Sequence, residues 1–169
     1  MNAQGPTILL LTFARQSEEG AIRGALAWLS QQAPGAEFVA VGTPVSAPVL
    51  NRLGLRDVII FGDGASTRQV VGEARARRPK ITAIVYGGPG SSAHLKLELV
   101  ALGAAAPVTY RFVPDTPPRP IGRWALLASV ATKALSAAGR LIAGCVICGI
   151  ALCRLRLAQL LAGGQHARG

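Results

Sequence analysis

Tyr86–Ser92, YGGPGSS, is the stretch best suited to holding an anion. Gly87, Gly88 and Gly90 can turn backbone N–H groups toward a phosphate, and Ser91 or Ser92 opens a helical stretch whose positive end favours negative charge. The pattern is neither G-x-G-x-x-G after a first strand nor G-x-x-x-x-G-K-[ST]. A tight strand-to-helix turn needs the same residue types, so both readings stand. Glu18 and Glu19 follow the first apolar run, where a carboxylate could serve as general base or simply complement a helix start. Asp63, between two glycines, reads as a turn residue. His94 has no nucleophile in a selecting context and reads as solvent-facing or locally hydrogen-bonded. Cys145, Cys148 and Cys153 form C-x-x-C-x-x-x-x-C inside an apolar run. A thiolate metal site wants four donors and none is nearby, and a redox C-x-x-C belongs at a helix start after a strand. The cysteines therefore read as small packing residues, with Cys153 beside Arg154 a candidate acylation position. Neither metal nor cofactor is expected.

These residues need elements to position them. Apolar runs at 7–13, 36–43, 57–62, 81–87 and 107–114 alternate with stretches of helical character. Ile22, Leu26 and Leu29 mark the first helix, and Ser66 or Thr67 is placed to cap the third. Continuous apolar strands separated by helix-length connectors imply parallel pairing with both faces covered. The expected fold is α/β: an open five-stranded parallel Rossmann-like sheet, ordered 3-2-1-4-5, followed by a long C-terminal apolar helix. In such sheets ligands sit beyond the carboxyl ends of the strands, at the switch point between strands one and four. The segments 13–20, 61–66 and 86–92 would meet there.

Charge divides the chain. Residues 1–118 hold eleven of the eighteen Lys/Arg and all eight Asp/Glu, whereas residues 119–169 hold seven cations and no acid. The excess charge accompanies the most apolar segment and lacks the aromatic interleaving of a nucleic-acid surface, so nucleic acid is not an expected partner. With 169 residues there is room for one domain and an appendage: an α/β domain over 1–115, a Pro-rich linker over 116–120, a membrane-associated helical segment over 121–162, and a basic flexible tail over 163–169. Thirteen uncharged residues separate Arg140 from Arg154, about 20 Å of helix. A window from Ala134 reaches about 30 Å, with Arg140 near its edge. Lys133, Arg140 and Arg154 share a narrow stripe, which suits either a helix lying in the interface or one that spans. Arg123, Lys133, Arg140, Arg154 and Arg156 are the membrane-flanking cations, and membrane lipids the expected partner. The N-terminus shows no basic n-region, so the α/β domain is expected in the cytoplasm.

The stretch ILLLTFARQSEEGAIRGALAWLSQQAPGAEFVAV resembles the opening of family 9 glycosyltransferases, the group that includes lipopolysaccharide heptosyltransferases. A strand, an Arg (Arg15), an acidic turn, an A-L-x-x-L helix and a P-x-A-x-F entry to strand two follow in order. LGLRDVIIFGDG and VVGEARARRPKITAIVYGGPGSSAHLKLELVALGAAAPVTYRF are similar to that family's later elements, so the resemblance covers about residues 7–114. It implies the acceptor-side half of a two-domain enzyme. Glu18 would be the catalytic acid–base residue, and Arg15 with the YGGPGSS loop would contact ligand. The family's acid follows a glycine; here Glu18 follows Ser17. The resemblance further implies a second, donor-binding half, for which these residues leave no room. The expectation is thus a membrane-anchored half-domain dependent on a donor-binding partner in envelope glycan or lipid-glycan assembly. The alternatives are a non-enzymatic membrane-anchored scaffold and a small nucleotide- or phosphate-binding module.

Overall fold

The computed structural model describes residues 5–13, 19–62, 64–86 and 93–139. The chain divides into two compact units, Met1–Val130 and Ala131–Gly169. The first unit alternates strand and helix: β1 (Thr7–Thr12), α1 (Glu19–Gln32), β2 (Glu37–Gly42), α2 (Ala47–Arg52), β3 (Asp57–Ile60), α3 (Thr67–Ala76), β4 (Ile81–Val85), α4 (Ala93–Ala104), β5 (Val108–Phe112) and β6 (Arg119–Ile121). A fifth helix, α5, begins at residue 123, and its residues 123–130 belong to this unit. In the second unit residues 131–139 are helical.

The sheet runs β3-β2-β1-β4-β5-β6. The first five strands are parallel in the order that the apolar runs predict, and β6 joins β5 antiparallel. Six strands and a mixed sheet replace the five parallel strands expected. The added strand recruits Arg119 and Pro120 from the stretch read as a linker, pairing Arg111 with Arg119 and Tyr110 with Pro120. A proline is tolerated there because an outermost strand needs its N–H groups on one side only. Three residues bearing Pro and Arg also blunt the edge that β5 would otherwise expose.

Alternation along β1 divides the interior. Ile8 and Leu10 face a core shared with α1 and α2, together with Ile22, Leu29 and Leu50. Leu9 and Leu11 face the other core, with Val70, Leu97, Val100 and Leu126 from α3, α4 and α5. Helix α4 is apolar nearly all round because the sheet and two helices cover it. A Cβ at Gly103 would come within 2.5 Å of Val71 Cγ1, so the close approach of α3 and α4 requires glycine. Ser66 caps α3 in a reciprocal box: its Oγ accepts from Gln69 N at 3.2 Å, and its own N–H donates to Gln69 Oε1 at 2.9 Å.

The long apolar C-terminal helix is not found: no helix among the described residues is long and apolar enough to cross a membrane. Residues 123–139 are helical, and 140–162 lie outside the described residues.

One buried polar atom in the sheet lacks a partner. Thr82 is fully buried in β4, and its Oγ1 makes no hydrogen bond. Replacing the hydroxyl by a methyl removes that desolvation cost at nearly constant shape. Thr82→Val is expected to stabilise the protein by about 1 kcal/mol, read as a midpoint a few degrees higher in thermal unfolding; an unchanged or lower midpoint would contradict it.

Candidate functional site

At the carboxyl edge of the sheet, on the α3/α4 side, side chains from three strands and one helix converge. Phe13 leaves β1 and Phe61 leaves β3, and their rings meet edge to face at 5.7 Å. From α4, Lys96 places Nζ 5.2 Å from the centre of the Phe61 ring. Tyr86 leaves β4 and receives His94, of α4, edge-on at 4.4 Å. The switch point between β1 and β4 is where an open sheet of this order offers a crevice. The residues along that edge form two aromatic groups, Phe13 and Phe61 beside the exposed Lys96 ammonium, and Tyr86 with His94. Such a set can stack a planar or apolar group and attract an anion.

Behind Tyr86 lies the one charged side chain among the described residues that is fully buried. Glu98, in the middle of α4, has no exposed surface. Tyr86 donates its phenol O–H to Glu98 Oε1 at 2.6 Å. Arg111, from β5, donates to the same oxygen at 3.3 Å. Ser129, from α5, lies 3.0 Å from Oε2 and 3.3 Å from Oε1. The Arg111 guanidinium also sits 5.3 Å from the Tyr86 ring centre, and its Nε is buried without a hydrogen-bond partner. Burial first, and then the hydrogen bond to Glu98, push the Tyr86 phenol well above its ordinary value.

A second groove, about 260 Å³, opens on the opposite face at the ends of β4 and β5. Gly24 and Trp28 of α1 line it together with Pro114, Asp115 and Thr116. Trp28 stacks edge to face on Tyr110 at 4.9 Å and on Phe112 at 5.6 Å. A cavity of about 460 Å³ between α1 and the starts of β2 and β3 includes Glu37, Arg56 and Asp57. It lies at the amino ends of the strands, away from the end that open sheets use for ligands.

Most residues singled out in the sequence lie outside the described residues: Arg15, Glu18, Asp63, Gly87, Gly88, Gly90, Ser91, Ser92, Cys145, Cys148, Cys153, Arg140, Arg154 and Arg156. Arg123 is exposed at the start of α5, and Lys133 is half-buried in the second unit. Glu19 binds Arg23 at 2.9 Å and Arg52 at 3.2 Å, which ties α1 to α2. Those two guanidiniums hold its carboxyl below the ordinary range, as suits a structural ion pair more than a proton acceptor. Glu98, Phe13, Phe61 and Lys96 escaped the sequence reading. A glutamate inside HLKLELVAL was the available signal, because an acid in a helix apolar on every side has to find buried partners. Among the described residues no cluster of three or more His, Cys, Asp or Glu could hold a metal.

Compared with sequence families, curated proteins and solved structures, the chain matches none.

Two measurements probe the buried cluster. Glu98→Ala leaves Arg111 and Tyr86 without their acceptor. Because Arg111 is partly exposed, we expect a loss of about 2–4 kcal/mol in denaturant unfolding, with Glu98→Gln intermediate; equal stability of all three would mean that the cluster contributes nothing. Tyr86 is neutral in the fold, so the stability it contributes is complete below the unfolded phenol's value of 10.0 and is lost as pH climbs through the higher folded value. In a Tyr110→Phe protein, phenolate absorbance is therefore expected to appear only well above pH 10.0, and a normal titration would contradict the geometry.

Proposed function

We propose that this chain is a ligand-binding half-domain of the sugar-transferase kind. It binds a phosphate-bearing substrate at the β1/β4 switch point and relies on a second polypeptide for the donor-binding half. The convergence of Phe13, Phe61, Lys96 and His94 at that edge carries the reading. The ammonium supplies attraction for phosphate, and the rings supply a shelf that excludes water from one side of it. The order β3-β2-β1-β4-β5 is the arrangement in which a crevice at this point is expected. The choice of sugar transfer over other phosphate chemistry rests on the likeness of residues 7–114 to the glycosyltransferase pattern.

The seven cations and absent acids of residues 119–169 support attachment of this half-domain to anionic lipid, with the α/β unit on the cytoplasmic side.

Calorimetric titration of the full chain separates the readings. Nucleotides, sugar nucleotides and sugar phosphates are titrated in turn. Binding of a sugar-bearing phosphate is expected, weakened about tenfold or more by Lys96→Ala, as the loss of one charge-assisted contact implies. Binding of inorganic phosphate and plain nucleotides with equal affinity would favour a general phosphate module. No heat with any of them would leave the scaffold reading.

A further inference from the structure

Helix α5 presents two apolar faces where one would suffice for folding. Leu126 and Val130 are buried, at 2% and 8% exposure, Leu126 in the core that α4 shares, and Ser129 reaches Glu98. On the other side Trp124 is 82% exposed and Leu127 41%. At about 100° per residue these two lie about 60° apart, with the exposed Ala128 beside them. The buried face is fastened by the hydrogen bond to Glu98, so rotation of α5 cannot bring Trp124 inward without breaking it. A tryptophan left almost wholly in water on a helix already anchored elsewhere is an unfilled contact.

Its surroundings identify the occupant. Arg119 and Arg123, both exposed, precede the stripe in the chain. No Asp or Glu occurs after Asp115, while seven Lys/Arg do. A second copy of the same face would set cations against cations with no acid to pair them. An anionic bilayer supplies negative headgroups for the arginines and an acyl boundary for the indole, whose apolar body and single N–H suit that depth.

We propose that Trp124 and Leu127 insert into the headgroup–acyl boundary of an anionic membrane, with Arg119 and Arg123 on lipid phosphates, so that the α/β unit itself lies on the bilayer. This rests on the membrane attachment proposed above and deepens it: residues 123–130 lie flat on the surface instead of merely leading toward it.

Full-length protein is mixed with phosphatidylcholine vesicles, with or without 30% phosphatidylglycerol, the acyl chains being brominated near the headgroup. The wild-type chain is expected to sediment with the anionic vesicles and to show quenched fluorescence, whereas Trp124→Phe, which keeps Trp28, shows little quenching. Trp124→Ala/Leu127→Ala is expected to lower the partition coefficient about tenfold or more; both positions face water, and circular dichroism confirms the fold. If the chain binds anionic vesicles but the double variant binds equally and Trp124 is unquenched, the insertion fails while attachment through other residues stands. If the wild-type chain binds no vesicle, both fail. Equal binding to neutral vesicles, or a solution dimer that Trp124→Phe dissociates, also overturns the proposal.

Discussion

A carboxyl group with no exposed surface must find its hydrogen bonds inside the protein, because leaving it without them costs more than a typical domain has to spare. Glu98 meets that demand with donors that include the phenol of Tyr86 at the end of β4, the guanidinium of Arg111 in β5, and the hydroxyl of Ser129 in α5. Displacing any one of these costs the acid a hydrogen bond. The cluster therefore sets where α5 lies on α4 and which way the Tyr86 ring points. Through His94 it also holds the first turn of α4 against the end of β4. Burying these groups is no cheap route to stability. What the cluster adds is definition: apolar packing alone would let α5 slide or turn on α4, whereas the Ser129 contact specifies one register.

On the opposite face of the sheet the contact between helix and strand is aromatic. Trp28, Tyr110 and Phe112 form an edge-to-face group between α1 and β5. At its distal end α1 is tied to α2 by Glu19 and Arg52. Helix α2 starts from a turn in which Thr43 N–H donates to Ser46 Oγ at 2.8 Å and Ser46 O–H returns to Thr43 O at 3.0 Å. A Cβ on Gly42 would come within 2.5 Å of Ser46 Oγ, so this fully buried serine requires a glycine at the end of β2. With β1 and β2 so framed, the aromatic rings that end β1 and β3 are left on the α3/α4 side, where the crevice opens.

The central strands were legible because β1 and β4 are buried on both faces and so appear as uninterrupted apolar runs; TILLLT and ITAIV admit little else. Their order followed from connector length and handedness. Strand β6 was not legible, since RPI has neither length nor alternation, and Pro120 reads as a break unless the strand is known to be outermost. Nor was the hub. Glu98 pairs with residues 12, 13 and 31 positions away, and no local pattern encodes such partners. Phe13 and Phe61 stood in the apolar runs as ordinary strand ends, and only the sheet order, which sets β1 and β3 on either side of β2, brings them together. Among the residues on either side of 87–92, Tyr86 and His94 touch each other edge to face.

The Glu98 cluster also connects the two proposed surfaces. Ser129 belongs to the same two turns of α5 as Trp124 and Leu127, and Tyr86 borders the crevice where Lys96 and His94 stand. The path from one surface to the other is a hydroxyl, a carboxyl and a phenol in direct hydrogen bonding, with no apolar layer between. Polar links of this kind have directional geometry, so Ser129 and Tyr86 constrain each other's placement through the shared carboxyl group. On the proposed reading, contact of α5 with lipid and occupancy of the crevice draw on one set of hydrogen bonds. Whatever holds α5 in the position that satisfies Glu98 also holds Tyr86 and His94 in the position that frames the crevice. On that reading the binding edge is well ordered when the helix is seated.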